Sequence, residues 1–266
     1  MKVMAQSVFE KELSVGEIFE RAISIYVNNA IDFLIVYVGT AIITGGLGVI
    51  FLSMSVRTIS ELQTTNEITS LALSQMLSLF VSSILVAVVD GLINSIRDGA
   101  AVKLTSDYLT SLNCDFQAAL SFVVPKVISI IVATIISSFI TILGLLFLVI
   151  PGVIVMIMFA LIVPVIVLEN KGALDSLGRS KALVNRRWLK TLVILLINGI
   201  IMFFARIFSN VLLVPFDERV STILSEVISS IIAPITTISI TLLYYSMLFK
   251  EKTLQQLMPT NSQQTS

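Results

Sequence analysis

From Val127 to Leu168 the chain runs for 42 residues without an Asp, Glu, Lys, Arg or His, and Pro151-Gly152 stands near the middle of that run. A helix needs about 20 apolar residues, rising ~1.5 Å each, to cross a hydrocarbon core of ~30 Å. The run is about twice as long as one such crossing. Glycine loosens the backbone, and proline suits the first turn of a new helix, where its missing N–H costs little. The stretch therefore reads as a tight hairpin: Val127–Val149 across, a reversal at Ile150-Pro151-Gly152, and Val153–Leu168 back. A re-entrant pair is the alternative, and it leaves the rest of the topology unchanged.

Composition supports lipid as the solvent. Only 13% of residues are charged and 56% are hydrophobic, where a soluble domain carries roughly a quarter charged residues. By the same count of apolar length, four further spans are expected, at about 31–54, 71–96, 191–214 and 222–249. Met1–Asn29 alternates charged and apolar residues with no small-residue cleavage site after an apolar core, so no cleavable signal peptide is expected.

Six spans put both termini on one side, and the basic residues test that scheme. Of the 17, only Arg57, Arg206 and Arg219 fall on the other side; the remaining 14 lie with the termini. Positive charge is retained in the cytoplasm. The expectation is a multi-pass protein of the cell (plasma) membrane with both termini cytoplasmic.

Each hairpin is preceded by a shorter amphipathic segment. In "SVGEIFERAISIYVNN", Ser14 and Glu17 have capping-box spacing, and Val15, Ile18, Phe19, Ala22, Ile23 and Tyr26 share a face. The second, "DFQAALSFVVPK", opens at Asp115; the third, "GALDSLGRSKALVNRRW", sets Leu174, Leu177 and Val184 on one side. Such helices commonly lie in the membrane interface, where Trp188, Tyr244 and Tyr245 are placed as belt residues. The expected fold is all-α: a polytopic bundle of six transmembrane helices in three hairpins, each preceded by an interfacial helix. It forms a single membrane domain over residues 1–252, with 253–266 a disordered polar tail.

The chemistry open to the chain is narrow. With no histidine, His-based acid–base catalysis, histidine metal sites and a Ser-His-Asp triad are excluded. The single cysteine, Cys114, cannot form an internal disulfide. No catalytic residue, metal site or cofactor is expected, and zero net charge carries no nucleic-acid signal.

Four stretches together resemble a known family: "LSVGEIFERAISIY", "LLFLVIPGVIV", "PVIVLENKGALDSLGRSKALVNRRWLKTLVIL" and "LLYYSMLFKEK". Their order is similar to the membrane domain at the front of some glycerophosphoryl diester phosphodiesterases, which also occurs as stand-alone membrane proteins. The resemblance covers about Leu13 to Lys252. Its most specific part is the Pro-Gly hairpin followed by "VLEN…ALDSLGRSKAL…W". It implies architecture only. The family's phosphodiesterase activity belongs to a separate soluble barrel using histidines, acidic residues and a divalent metal, so the resemblance implies no enzyme and carries over no catalytic residue.

Two groups of polar residues remain as candidates. Asp90, about two turns inside the expected boundary, can share a helix face with Asn94 and Arg97, and Lys126 can reach it from the next span. An intramembrane carboxylate is a functional candidate by default; a structural pair with Lys126 or Arg97 is the alternative. The second group, Lys171, Arg179, Lys181, Arg186, Arg187 and Lys190, forms a basic loop that would attract anionic lipid headgroups. Two functions follow. One is a non-enzymatic membrane scaffold that organises lipid or docks a membrane partner. The other is a small transporter or channel with Asp90 as its coupling residue.

Overall fold

The computed structural model describes residues 12–64, 70–112, 114–185 and 187–257. Among them the secondary structure is entirely helical, as expected, with no strand. In chain order the helices are α1 (Val15–Asn28), α2 (Ala30–Thr64), α3 (Ser70–Ser111), α4 (Phe116–Val123), α5 (Val127–Phe147), α6 (Val149–Met158), α7 (Ile162–Glu169), α8 (Ala173–Val184), α9 (Trp188–Leu213) and α10 (Glu218–Leu257). Six segments are long and apolar enough to cross a membrane: within α2, within α3, α4–α5, α6–α7, α9 and within α10. The chain is a multi-pass, all-α membrane bundle.

The three short helices expected before the hairpins are present as α1, α4 and α8. The Ser14 Oγ accepts from the Glu17 N–H at 3.2 Å while the Glu17 carboxylate accepts from the Ser14 N–H at 2.8 Å, completing the capping box. Asp115 caps α4 by accepting from the N–H groups of Gln117 and Ala118. These helices bury one face against the bundle: Ile18, Ala22 and Ile25 of α1, Ala119 and Val123 of α4, and Ser176, Leu177, Ser180, Leu183 and Val184 of α8. Two residues assigned to buried faces differ, since Ile23 is 49% exposed and Leu174 69%. Each stands at the edge of its apolar stripe.

The helix ends depart most from expectation. Helix α3 continues from the span 71–96 to Ser111, 42 residues in all, or about 63 Å, some twice a hydrocarbon core. Its extension packs rather than frays, because Ala100, Ala101, Leu104, Tyr108 and Leu109 join a buried core with α1, α10 and the α6–α7 junction. Helix α10 likewise runs to Leu257, so 253–257, expected in the disordered tail, are helical; 258–266 lie outside the described residues.

The hairpin turn is also displaced. Chain reversal occurs at Leu148, whose backbone is extended between α5 and α6, and Pro151-Gly152 sits in the first turn of α6. Proline is accepted there because first-turn N–H groups have no helical partner. Gly152 acts by close approach rather than by flexibility: a Cβ on it would meet Leu145 Cγ at 2.4 Å, and one on Gly144 would meet Gly152 Cα at 2.9 Å. A second break, at Phe159–Leu161, divides the returning span just before the first turn of α7, which contains Pro164. Ser180 of α8 repairs it, donating to Met158 O at 2.7 Å and accepting from Leu161 N at 3.1 Å.

Two clamps tie the end of the bundle that holds both described chain ends. Arg179 donates to Glu169 at 3.0 Å and, through both terminal nitrogens, to Glu251 at 2.7 and 2.6 Å. These carboxylate partners raise the guanidinium pKa above its already high value, the Glu251 hydrogen bond most of all. Glu12 takes Arg187, Lys190 (3.3 Å) and Lys250 (3.2 Å), while Lys190 also bonds Leu13 O and the Ser246 Oγ.

Candidate functional site

Helices α2, α3, α9 and α10 do not meet along their whole length, and between them lies a cavity of about 460 Å³. Helix α2 contributes Ala41, Thr44, Gly48 and Phe51; α3 contributes Ser83, Val86, Ala87, Asp90, Asn94 and Arg97. From α9 come Met202 and Arg206, and from α10 Glu226, Ser229, Ser230 and Ala233. Four ionisable groups and several hydroxyls thus face one space inside an apolar bundle. The depth follows from α2. Thr44 lies 14 residues after Ala30 and 12 before Val56, the ends of the first candidate span, so the cavity reaches its middle.

Asp90 accepts from the Asn94 Nδ2 at 2.9 Å, one turn along the same helix. Arg97 shares the cavity with them but directs its Nε to Asp98 at 3.1 Å. Its guanidinium also stands 5.2 Å from the centre of the Tyr37 ring, and the Tyr37 hydroxyl donates to Thr237 Oγ1 at 2.8 Å. This Arg97–Tyr37–Thr237 layer, with Tyr37 only 1% exposed, floors the cavity toward the chain ends. On the opposite wall Arg206 pairs loosely with Glu226 at 3.8 Å, and the Arg206 side chain remains 67% exposed.

Of the three residues grouped with Asp90 in the sequence, Asn94 and Arg97 are in the cavity and Lys126 is not. Lys126 donates to Val167 O at 2.7 Å, capping the end of α7, and lies 4.0 Å from the Phe122 ring centre. Asp90 lies on the same stretch of α3 as Asn94 and Arg97, and the helix continues past residue 96 to Ser111. The acidic partner of Arg206 is Glu226. Thr44, Ser229 and Ser230 were missed. Ser229 and Ser230 are 7% and 4% exposed, and a hydroxyl doublet in the otherwise apolar "VISSIIAP" was the available signal.

The basic loop is less free than its composition suggests. Arg179, Arg187 and Lys190 are engaged by Glu169, Glu251 and Glu12. Lys181 is exposed and Lys171 partly so; Arg186 lies outside the described residues. Among the described residues no group of three or more Cys, Asp or Glu is placed to hold a metal ion. Compared with protein-family models, with curated proteins and with solved structures, the chain matches none.

Proposed function

We propose that this chain is a small transporter or channel whose cavity binds a polar solute, with Asp90 as the central group. The observation that carries the reading is the convergence of Asp90, Asn94, Arg97, Arg206, Glu226, Ser229 and Ser230 on one space within four spanning helices. Ionisable side chains in a membrane face cavities or one another because lipid cannot solvate them, and a few convergent polar groups in a concave site are the usual form of a small-ligand pocket. In this reading the chain is no enzyme, lies in the plasma membrane with its termini cytoplasmic, and shares its six-span plan with the phosphodiesterase membrane domain it resembles in sequence order. The scaffold reading keeps narrower support: Lys171 and Lys181 are the described cations of the basic loop left to meet anionic lipid.

Access to the cavity is the test. Burial pushes the Cys114 thiol up to about 12, which keeps it protonated and unreactive near neutral pH. In a Cys114→Ser background, Ser230→Cys should react with a charged, membrane-impermeant thiol reagent added to sealed vesicles. Protection from reagent on both sides, in protein that unfolds like the parent, would sink the transport reading.

A further inference from the structure

Three hydroxyls in the cavity wall share a hydrogen-bonding sense. Thr44 Oγ1 donates to Ala41 O at 3.3 Å, Ser83 Oγ to Phe80 O at 2.7 Å and Ser230 Oγ to Val227 O at 2.6 Å. A hydroxyl has one proton and two lone pairs. With each proton committed to its own helix, these three oxygens have only acceptor capacity left for anything that enters. Asn94 gives one N–H to Asp90, leaving its carbonyl oxygen as an acceptor beside its second N–H.

The charges agree with that sense. Arg97 is held by Asp98, and Arg206 faces Glu226. Among the described residues Asp90 makes no ion pair within 4 Å, its hydrogen-bond partner is a neutral amide, and the charge of Arg97, already bonded to Asp98, reaches it only at longer range. A carboxylate inside a spanning bundle needs a counter-charge or a proton. Size decides what kind of counter-charge. A water occupies about 30 Å³ of liquid, so the cavity of about 460 Å³ is far larger than a bare alkali ion fills.

We propose that the cavity is a site for a small organic ammonium ion, its N–H donors directed to Asp90 and to hydroxyl oxygens of the cavity wall. The inference rests on the cavity being a ligand site, as proposed above, and adds the chemical class of the ligand. Titration calorimetry on the full chain in detergent tests it, with ethylammonium chloride as probe and sodium chloride, potassium chloride and sodium acetate at equal ionic strength as comparisons.

A saturable heat is expected for ethylammonium alone. Affinity should fall at least tenfold in Asp90→Asn and several-fold in Ser230→Ala, and stay unchanged in Arg219→Gln, whose residue is absent from the cavity wall. No saturable heat with ethylammonium overturns the proposal. So does equal affinity in Asp90→Asn, or saturation by sodium, potassium or acetate in its place. Should Asp90→Asn fail to fold, Ser230→Ala and Thr44→Val carry the same comparison. Thiol labelling at position 230 without ammonium binding would overturn the ligand class while leaving the solute-binding reading intact; failure of labelling removes both.

Discussion

Phe33, near the start of α2, is 0% exposed, whereas Phe80, near the start of α3, is 63% exposed. They represent the two halves of the molecule. The half holding the chain ends is built like a soluble core: Ile18, Phe33, Tyr37, Leu104, Ile157, Val184, Leu242 and Tyr244 are buried together, drawn from helices far apart in sequence. In the other half Leu77, Phe80 and Leu85 of α3, Phe147 and Ile150 of the second hairpin, and Phe203, Phe204 and Phe208 of α9 face outward. The first half buries many of its apolar groups among protein, although Val27, Ile31 and Ile128 stay exposed there, and the second turns most of them outward, as lipid allows. Only a half whose helices need not pack tightly can keep a polar cavity open among them.

The largest effect expected from that contrast is on core truncation. Phe33→Ala should destabilise the protein by about 3–5 kcal/mol, the usual cost of emptying a packed aromatic site. Phe80→Ala should stay within about 0.5 kcal/mol, as for residues outside packed features. Equilibrium unfolding in mixed detergent micelles, followed by circular dichroism, measures both. Similar losses for the two would mean that α3 is covered by protein at Phe80, and the division into halves would fail.

The ion-pair clamps give a second, smaller effect. Arg179→Ala leaves Glu169 and Glu251 facing each other across the site of the lost cation, at side-chain exposures of 17% and 34%. A loss of about 2 kcal/mol is expected, between the worth of a charged hydrogen bond and the cost of a broken buried pair. Arg179→Lys should recover only part of it, since an ammonium cannot reproduce the forked contact with Glu251. The same unfolding measurement decides. A loss no larger than that of Lys181→Ala, on the exposed face of α8, would show that the clamp is an incidental surface contact.

The sequence made one half of the molecule more legible than the other, for physical reasons. Spans could be counted because lipid demands about 20 apolar residues in a row, and that requirement is local. The capping box of Ser14 and Glu17 and the Asp115 cap were equally local. Helix ends were not, because α3 leaves the bilayer without leaving the helix: "GAAVKLTSDYLTS" is held by partners such as α1 and α10 that no window reveals. The basic loop misled in the same way, since Glu251 and Glu12, which help hold Arg179 and Arg187, lie 72 and 175 residues away. The cavity combines both problems. Asp90 was conspicuous by itself, but its level in the bundle depended on helix register, and its neighbours Thr44, Arg206 and Ser230 come from three other helices.

The smallest effect concerns how loosely the lipid-facing half is built. Helices α2 and α10 still approach closely there: a Cβ on Gly45 would lie 3.0 Å from Ile223 Cα, and one on Gly48 3.1 Å from Thr222 Cγ2. Gly46, the next residue, has nothing within 4 Å of its Cβ position. Small residues let membrane helices come together in this way. Gly45→Ala should therefore cost about 1 kcal/mol, because the atom in its path is backbone and moves only with the helix. Gly46→Ala should be neutral or stabilising by up to about 1 kcal/mol through helix propensity. The pair also bears on the cavity, since Thr44 and Gly48 on the same helix line it. If α2 and α10 form a fixed seam, Gly45→Ala will weaken ethylammonium binding along with stability. If the two helices separate during a transport cycle, stability will fall while affinity holds. Equal stability changes for both alanines would remove the seam altogether and leave the cavity with walls free to close.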